Sequence, residues 1–240
     1  MPAPLPLGND VVDLGSACNR SSATNPHYVN RVLADPELEL LDIADDRHLA
    51  FWALWAAKEA AYKALTKDQP ELAFIHRHFV VESETPLTSS EHRTTATGQV
   101  CHGRQKIPVL WEWTPDWIHC ITTSSAEPAR YSVGTIRKLG SNASFVKMQQ
   151  SGNLSDESIA ARLLALSLLA QSGWNDVQVD RPAIGQHRGP PRIMQSGNVL
   201  ANLQISLSHD GRFAAAAVAC PAVNLGSSQP PDQIIKTLGV

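Results

Sequence analysis

The 240-residue chain contains no Cys-x-x-Cys pair, no run of lysine and arginine, and no apolar stretch long enough to cross a bilayer. Each absence excludes a class of protein. The four cysteines, Cys18, Cys101, Cys120 and Cys220, lie far apart. That spacing argues against a zinc ribbon or a disulfide scaffold and predicts reduced, mostly buried thiols. Twenty basic residues against 23 acidic ones leave a formal charge of −3 without a cluster that could track a phosphate backbone. Nucleic acid is therefore not an expected partner. The apolar run around "FAAAAVACPAV" is too short to span a membrane, and "MPAPLPLGND" has neither the basic nor the apolar stretch of a secretory leader. A cytoplasmic protein without a membrane partner is expected.

A hydrophobic content of 43% is enough for an ordinary globular core, in one large domain or two small ones. "GNDVVDLG" predicts a short strand carrying Asp10 and Asp13. A polar loop follows, then two helices in "DPELELLDIA" and "DDRHLAFWALWAAKEAAYKALTKD", the second capped at Asp45 or Asp46. From Phe74 the pattern turns to strands: "FIHRHFVVESE", a Ser/Thr-rich loop, "KIPVLWEW" and "WIHCITTS". The polar segment "RKLGSNASFVKMQQSGNLSD" reads as a linker. "SDESIAARLLALSLLAQSG" then has the Ser155 start and Gly173 stop of a helix. In "LQISLSHDGRFAAAAVA", Leu203, Ile205 and Leu207 alternate with polar residues, and Asp210-Gly211 predicts a hairpin turn. Each half thus reads as helix, strand and hairpin. The expected fold class is α+β, with residues 1–130 forming one half and 131–240 the other.

One helix carries charge where apolar residues prevail. In "FWALWAAKEAAYKAL", Trp55, Glu59 and Lys63 are four apart and share a face, while Lys58 stands about 100° round from Glu59. Alone, that is a solvated Glu–Lys pair. Beside the acids of "GNDVVDL" it offers carboxylates from a strand and a helix. Such a pair could share a hard cation such as Mg²⁺, which prefers oxygen ligands and is completed by substrate phosphates.

"GNDVVDL" followed by "WAAKEAAYKAL" resembles the paired signature of the 4′-phosphopantetheinyl transferases, Gly-x-Asp and then Trp/Phe-x-x-Lys-Glu-Ala-x-x-Lys. "GPPRI" and "ISLSHDGRF" resemble the Gly-Lys-Pro and Ser-His-Ser regions of the same superfamily. The order is unusual: the parts that come first in the longer, monomeric type come last here. The chain therefore resembles a circular permutant of that type, or two copies of the short acyl carrier protein synthase in tandem. Either way the resemblance implies two similar α+β halves packed as a pseudo-dimer within a monomer.

The resemblance implies an enzyme that moves 4′-phosphopantetheine from coenzyme A to a serine of an apo acyl or peptidyl carrier protein, with Mg²⁺, releasing adenosine 3′,5′-bisphosphate. Asp10 and Glu59 match the magnesium ligands, and Glu59 is also the candidate base. Lys58 and Lys63 match the lysines of the Lys-Glu motif and would both bind the coenzyme, Lys63 through a phosphate. Arg162 matches an arginine that holds the 3′-phosphate; a buried ion pair is its alternative. Ser208 and His209 match the Ser-His of the hairpin that contacts the coenzyme. The motif lysine of Gly-Lys-Pro is absent from Gly189-Pro190-Pro191, so Arg188 or Arg192 would have to replace it. Asp13 keeps the spacing of the short type and is open as a third ligand. Trp52, Trp55, Trp111, Trp113 and Trp117 read as packing residues. A non-catalytic module that binds coenzyme A or a carrier is the other function open to such a chain.

Overall fold

The computed structural model describes residues 6–83, 88, 92–122, 129–150, 154–184 and 187–220. Strand β1 (Asn9–Asp13) leads into four helices, α1 (Ala17–Thr24), α2 (Pro26–Val32), α3 (Asp35–Asp42) and α4 (Arg47–Leu65). Strands β2 (Phe79–Ser83), β3 (Thr94–His102), β4 (Gln105–Trp113) and β5 (Trp117–Thr122) then complete an antiparallel sheet in the order β1-β5-β4-β3-β2. Helix α4 packs on this sheet. Its start is fixed by Asp46, whose side chain accepts a hydrogen bond from the backbone N–H of Leu49 at 2.9 Å. Its alanines let the chain before β1 come very close: a β-carbon on Gly8 would lie 1.9 Å from the carbonyl oxygen of Ala60. Only glycine fits there.

The second half opens with β6 (Ala129–Thr135), α5 (Ile136–Leu139), α6 (Ala143–Gln150) and α7 (Asp156–Gln171). Five short strands follow, β7 (Gln178–Asp180), β8 (Ala183–Ile184), β9 (His187–Arg188), β10 (Arg192–Gln195) and β11 (Asn198–Val199). The hairpin of β12 (Gln204–Asp210) and β13 (Phe213–Ala219) closes the described chain. The sheet β12-β13-β6 carries α7, β11-β10-β7 form a small second sheet, and β8 pairs with β9. Ser155 caps α7 by accepting from Ser158 N–H, and Gly173, at φ +85°, turns the chain out of it. The fold is α+β, with a long helix on an antiparallel sheet in each half.

Several sequence expectations are corrected here. The polar loop after β1 contains α1 and α2, and the Ser/Thr-rich loop supplies β3. The linker contains α5 and α6, whose Phe145 is buried in the second core. Asp210 is still paired, with Phe213, so the turn is Gly211-Arg212 rather than Asp210-Gly211. The cysteines are free, but only Cys120 is buried, and Cys18 is exposed. Among the described residues no helix is long and apolar enough to cross a membrane.

The halves meet along an unusual seam. β1 pairs through its backbone with β5 on one side only. On its other edge the N–H groups of Leu7, Asn9, Val11 and Asp13 donate to side chains of Gln204, Ser206, Ser208 and Asp210, at 2.6, 2.9, 3.1 and 2.8 Å. Every rung has the same offset of 197 residues, so β12 runs alongside β1 in the same direction. A buried strand edge needs partners for its amides. Here the polar face of the Gln-Ile-Ser-Leu-Ser-His-Asp alternation supplies them.

Candidate active site

A cleft of about 980 Å³ opens along this seam. The first half contributes Asp10 from the middle of β1 and Glu59, Lys63 and Lys67 from the half-buried line of α4 and its extension. The second half contributes Arg162 from α7, Arg181, Arg188 and the Gly189-Pro190-Pro191 stretch, with Ser208 and His209 from β12. Most residues expected at a site are thus gathered in one place from distant parts of the chain.

Two carboxylates face each other on the first-half wall. Asp10 Oδ1 accepts from Lys63 Nζ at 2.8 Å and from Ser208 Oγ at 2.7 Å. Lys63 also donates to the carbonyl of Asn9 at 3.2 Å. Burial works against the charge of Lys63, but Asp10 and Glu59 outweigh it and hold its pKa above the ordinary lysine value. Among the described residues no hydrogen bond reaches the Glu59 carboxylate. Burial and the Asp10 charge push its pKa up to about 7, against the pull of Lys63. Two oxygen donors short of positive charge suit a hard divalent cation that takes its remaining ligands from water and phosphate. Among the described residues no third acid, histidine or cysteine joins them, so an all-protein cage is absent.

Positive charge dominates the second-half wall. Arg162 is 5% exposed, donates to Ser158 O at 3.0 Å, and has its pKa lowered by burial and by Arg181 and Arg188 nearby. Arg181 Nε donates to the carbonyl of Gly189 at 3.1 Å. Three guanidinium groups so close repel one another unless an anion lies between them, and arginine forks match phosphate oxygens well. Arg181 and Lys67 were missed in the sequence. Lys67 was findable, being the next residue in the four-residue spacing of Glu59 and Lys63. Its ammonium bridges the seam, donating to the carbonyls of Leu7 and of Ile205.

Lys58, Arg192 and Asp13 lie elsewhere. Lys58 was expected to touch the coenzyme, but its side chain is 0% exposed and is ion-paired to Glu37 at 2.6 Å. It also donates to the carbonyls of His76 and Phe79. The 100° step from Glu59 turns it away from the cleft and into the core. Arg192 is taken up by Asp180 across β7 and β10, at 2.8 Å, and does not line the cleft; Arg188 does. The carboxylate of Asp13 is gripped by Arg212 through its backbone N–H, Nε and Nη2, which removes it as a third metal ligand. Trp111 and Trp113 are core residues, whereas Trp52 and Trp55 border the cleft.

Residues 6–122 match the model of the 4′-phosphopantetheinyl transferase superfamily. A crystal structure of Thermotoga maritima holo-[acyl-carrier-protein] synthase is similar at a TM-score of 0.35 and 11% identity, over 82% of this chain and 86% of that one. No curated protein matches the chain.

Proposed function

We propose, for a chain whose residues 6–122 belong to the 4′-phosphopantetheinyl transferase superfamily, that it transfers 4′-phosphopantetheine from coenzyme A to a serine hydroxyl of an apo acyl or peptidyl carrier protein. The observation that carries this reading is a single cleft lined by two carboxylates and a lysine from the first half and three arginines from the second. Its charges suit a ligand with a pyrophosphate near the acids and a further phosphate among the arginines.

Asp10 and Glu59 would hold the magnesium ion, which when bound offsets negative charge on the pyrophosphate. Lys63, fixed by Asp10 and the Asn9 carbonyl, adds positive charge beside the same oxygens. Arg162, Arg181 and Arg188 hold the 3′-phosphate, with Arg188 and Arg181 standing in for the missing Gly-Lys-Pro lysine. His209, exposed near the end of β12, borders the coenzyme. Glu59 accepts the proton that the attacking serine loses. Adenosine 3′,5′-bisphosphate leaves. The seam makes the site complete within one chain, so the protein works as a monomer, with the halves meeting near residue 130.

The test is intact-mass analysis of a panel of apo carriers incubated with the protein, coenzyme A and Mg²⁺. A carrier gaining one phosphopantetheine, and gaining none without Mg²⁺, is the expected result. A chain that binds coenzyme A yet modifies no carrier would instead be a binding module.

A further inference from the structure

Ser208 matches a residue expected to touch the coenzyme, yet its hydroxyl is already committed. The residue is 4% exposed. Its oxygen accepts from the backbone N–H of Val11 at 3.1 Å, and Lys63 Nζ stands 3.4 Å away on the acceptor side. A serine hydroxyl has two acceptor positions and one proton. With N–H donors on the acceptor side, the proton has one place to go, and Asp10 Oδ1 lies 2.7 Å off.

That commitment is built into the seam. Ser206, two residues earlier, accepts from Asn9 N–H in the same way, but among the described residues its hydroxyl donates to no carboxylate. At Ser208 the rung continues: the amide of Val11 fixes the oxygen, and the oxygen fixes the carboxylate of the preceding residue. We infer that Ser208 is a positioning residue: from the second half of the chain it orients the Asp10 carboxylate for cation binding and does not itself hold the coenzyme. The inference rests on the reading of Asp10 and Glu59 as a cation site. It implies that docking of the two halves governs metal affinity, because the second half supplies the hydrogen bond that aims a first-half ligand.

Mn²⁺ uptake by the free protein, followed by electron paramagnetic resonance without coenzyme or carrier, tests this directly. Ser208→Ala should weaken Mn²⁺ binding about tenfold, the lower end for loss of a group that orients a metal ligand. Ser208→Thr, which keeps the hydroxyl, should restore it. Coenzyme A binding measured in EDTA should be the same for wild type and Ser208→Ala. In an Asp10→Asn background the Ser208→Ala change should have no further effect on Mn²⁺, since the two groups act as one. If Ser208→Ala does not fold, Ser208→Cys, with its weak S–H donor, should show a smaller loss in the same direction. Unchanged Mn²⁺ affinity in these variants, an equal loss of coenzyme A binding in EDTA, or a wild-type protein that takes up no Mn²⁺ overturns the inference. The two readings fail separately. A protein that modifies no carrier but loses Mn²⁺ affinity on Ser208→Ala refutes only the transferase, and an active transferase with unaltered Mn²⁺ affinity refutes only the role of Ser208.

Discussion

Glu59 is the residue whose protonation is most tied to the site. Its carboxyl holds its proton up to about pH 7 because it is buried and faces Asp10. The unfolded chain would release that proton nearer the ordinary glutamate value. Between those two pH values the folded state binds more protons, so the stability from this group is present at low pH and is lost as pH rises towards 7. In EDTA, the melting temperature of the wild type should therefore fall relative to that of Glu59→Gln as pH is raised from about 5 to about 7.5. Adding Mg²⁺ at the upper end should recover stability in the wild type and not in the variant. Parallel curves in EDTA would mean that Asp10 and Glu59 do not share a site. Turnover of Glu59→Gln should drop by about a hundredfold or more, since a charge acting mainly in the transition state is removed. Glu59 and Lys63 were legible as neighbours on one face of α4 from the helical period, and Asp10 as their companion only through the resemblance of the strand motif. Ser208 was legible as a position only: what its hydroxyl touches depends on a strand 197 residues away.

At the scale of elements, α4 serves two faces that the sequence runs together. Glu59 and Lys63 look into the cleft, while Lys58 enters the core between α3 and β2. Its partner Glu37 is fully used: Oε2 accepts from Ala34 N–H and from Lys58, and Oε1 accepts from Val81 N–H. Lys58→Met would leave a buried carboxylate without its cation, and loss of one member of such a pair costs about 3–5 kcal/mol. Chemical denaturation should register that loss, while coenzyme A affinity per folded molecule stays at the wild-type level. A stable Lys58→Met protein with weakened coenzyme binding would return Lys58 to the site. Helix α4 was readable from capping and period, and the β12–β13 hairpin from its alternation, although its turn falls one residue later than Asp210-Gly211. Helix α1 was not, because "ACNRSSAT" has little apolar patterning and buries only Asn19 and Ala23. Strand β3 was hidden by threonines, which suit a loop or a strand equally until a neighbouring strand decides.

At the scale of the whole molecule, the two halves are joined by contacts that neither could satisfy alone. Three amides on the edge of β1 and that of Leu7 just before it donate to β12, and the arginines of the cleft come from the second half while Asp10 and Glu59 come from the first. One chain thus supplies both walls of the site, and sedimentation equilibrium should find a monomer; an obligate trimer would mean that the working site lies between chains. A ligand spanning the cleft stabilises this arrangement by mass action, raising the melting temperature as its concentration exceeds its dissociation constant. Arg162→Ala removes one of three mutually repelling cations, so the free protein should melt no lower than the wild type by more than the modest cost of an emptied side-chain position. Its response to coenzyme A should shrink sharply. Loss of a charge-assisted hydrogen bond to phosphate costs about 1.5–3 kcal/mol, roughly a tenfold to hundredfold weakening. A 3′-dephosphorylated analogue offers no such phosphate and should bind wild type and variant alike. Titration calorimetry with both ligands decides the matter: equal losses for the two would make Arg162 a brace for α7, and a loss confined to coenzyme A would make the arginine cluster the seat of its 3′-phosphate.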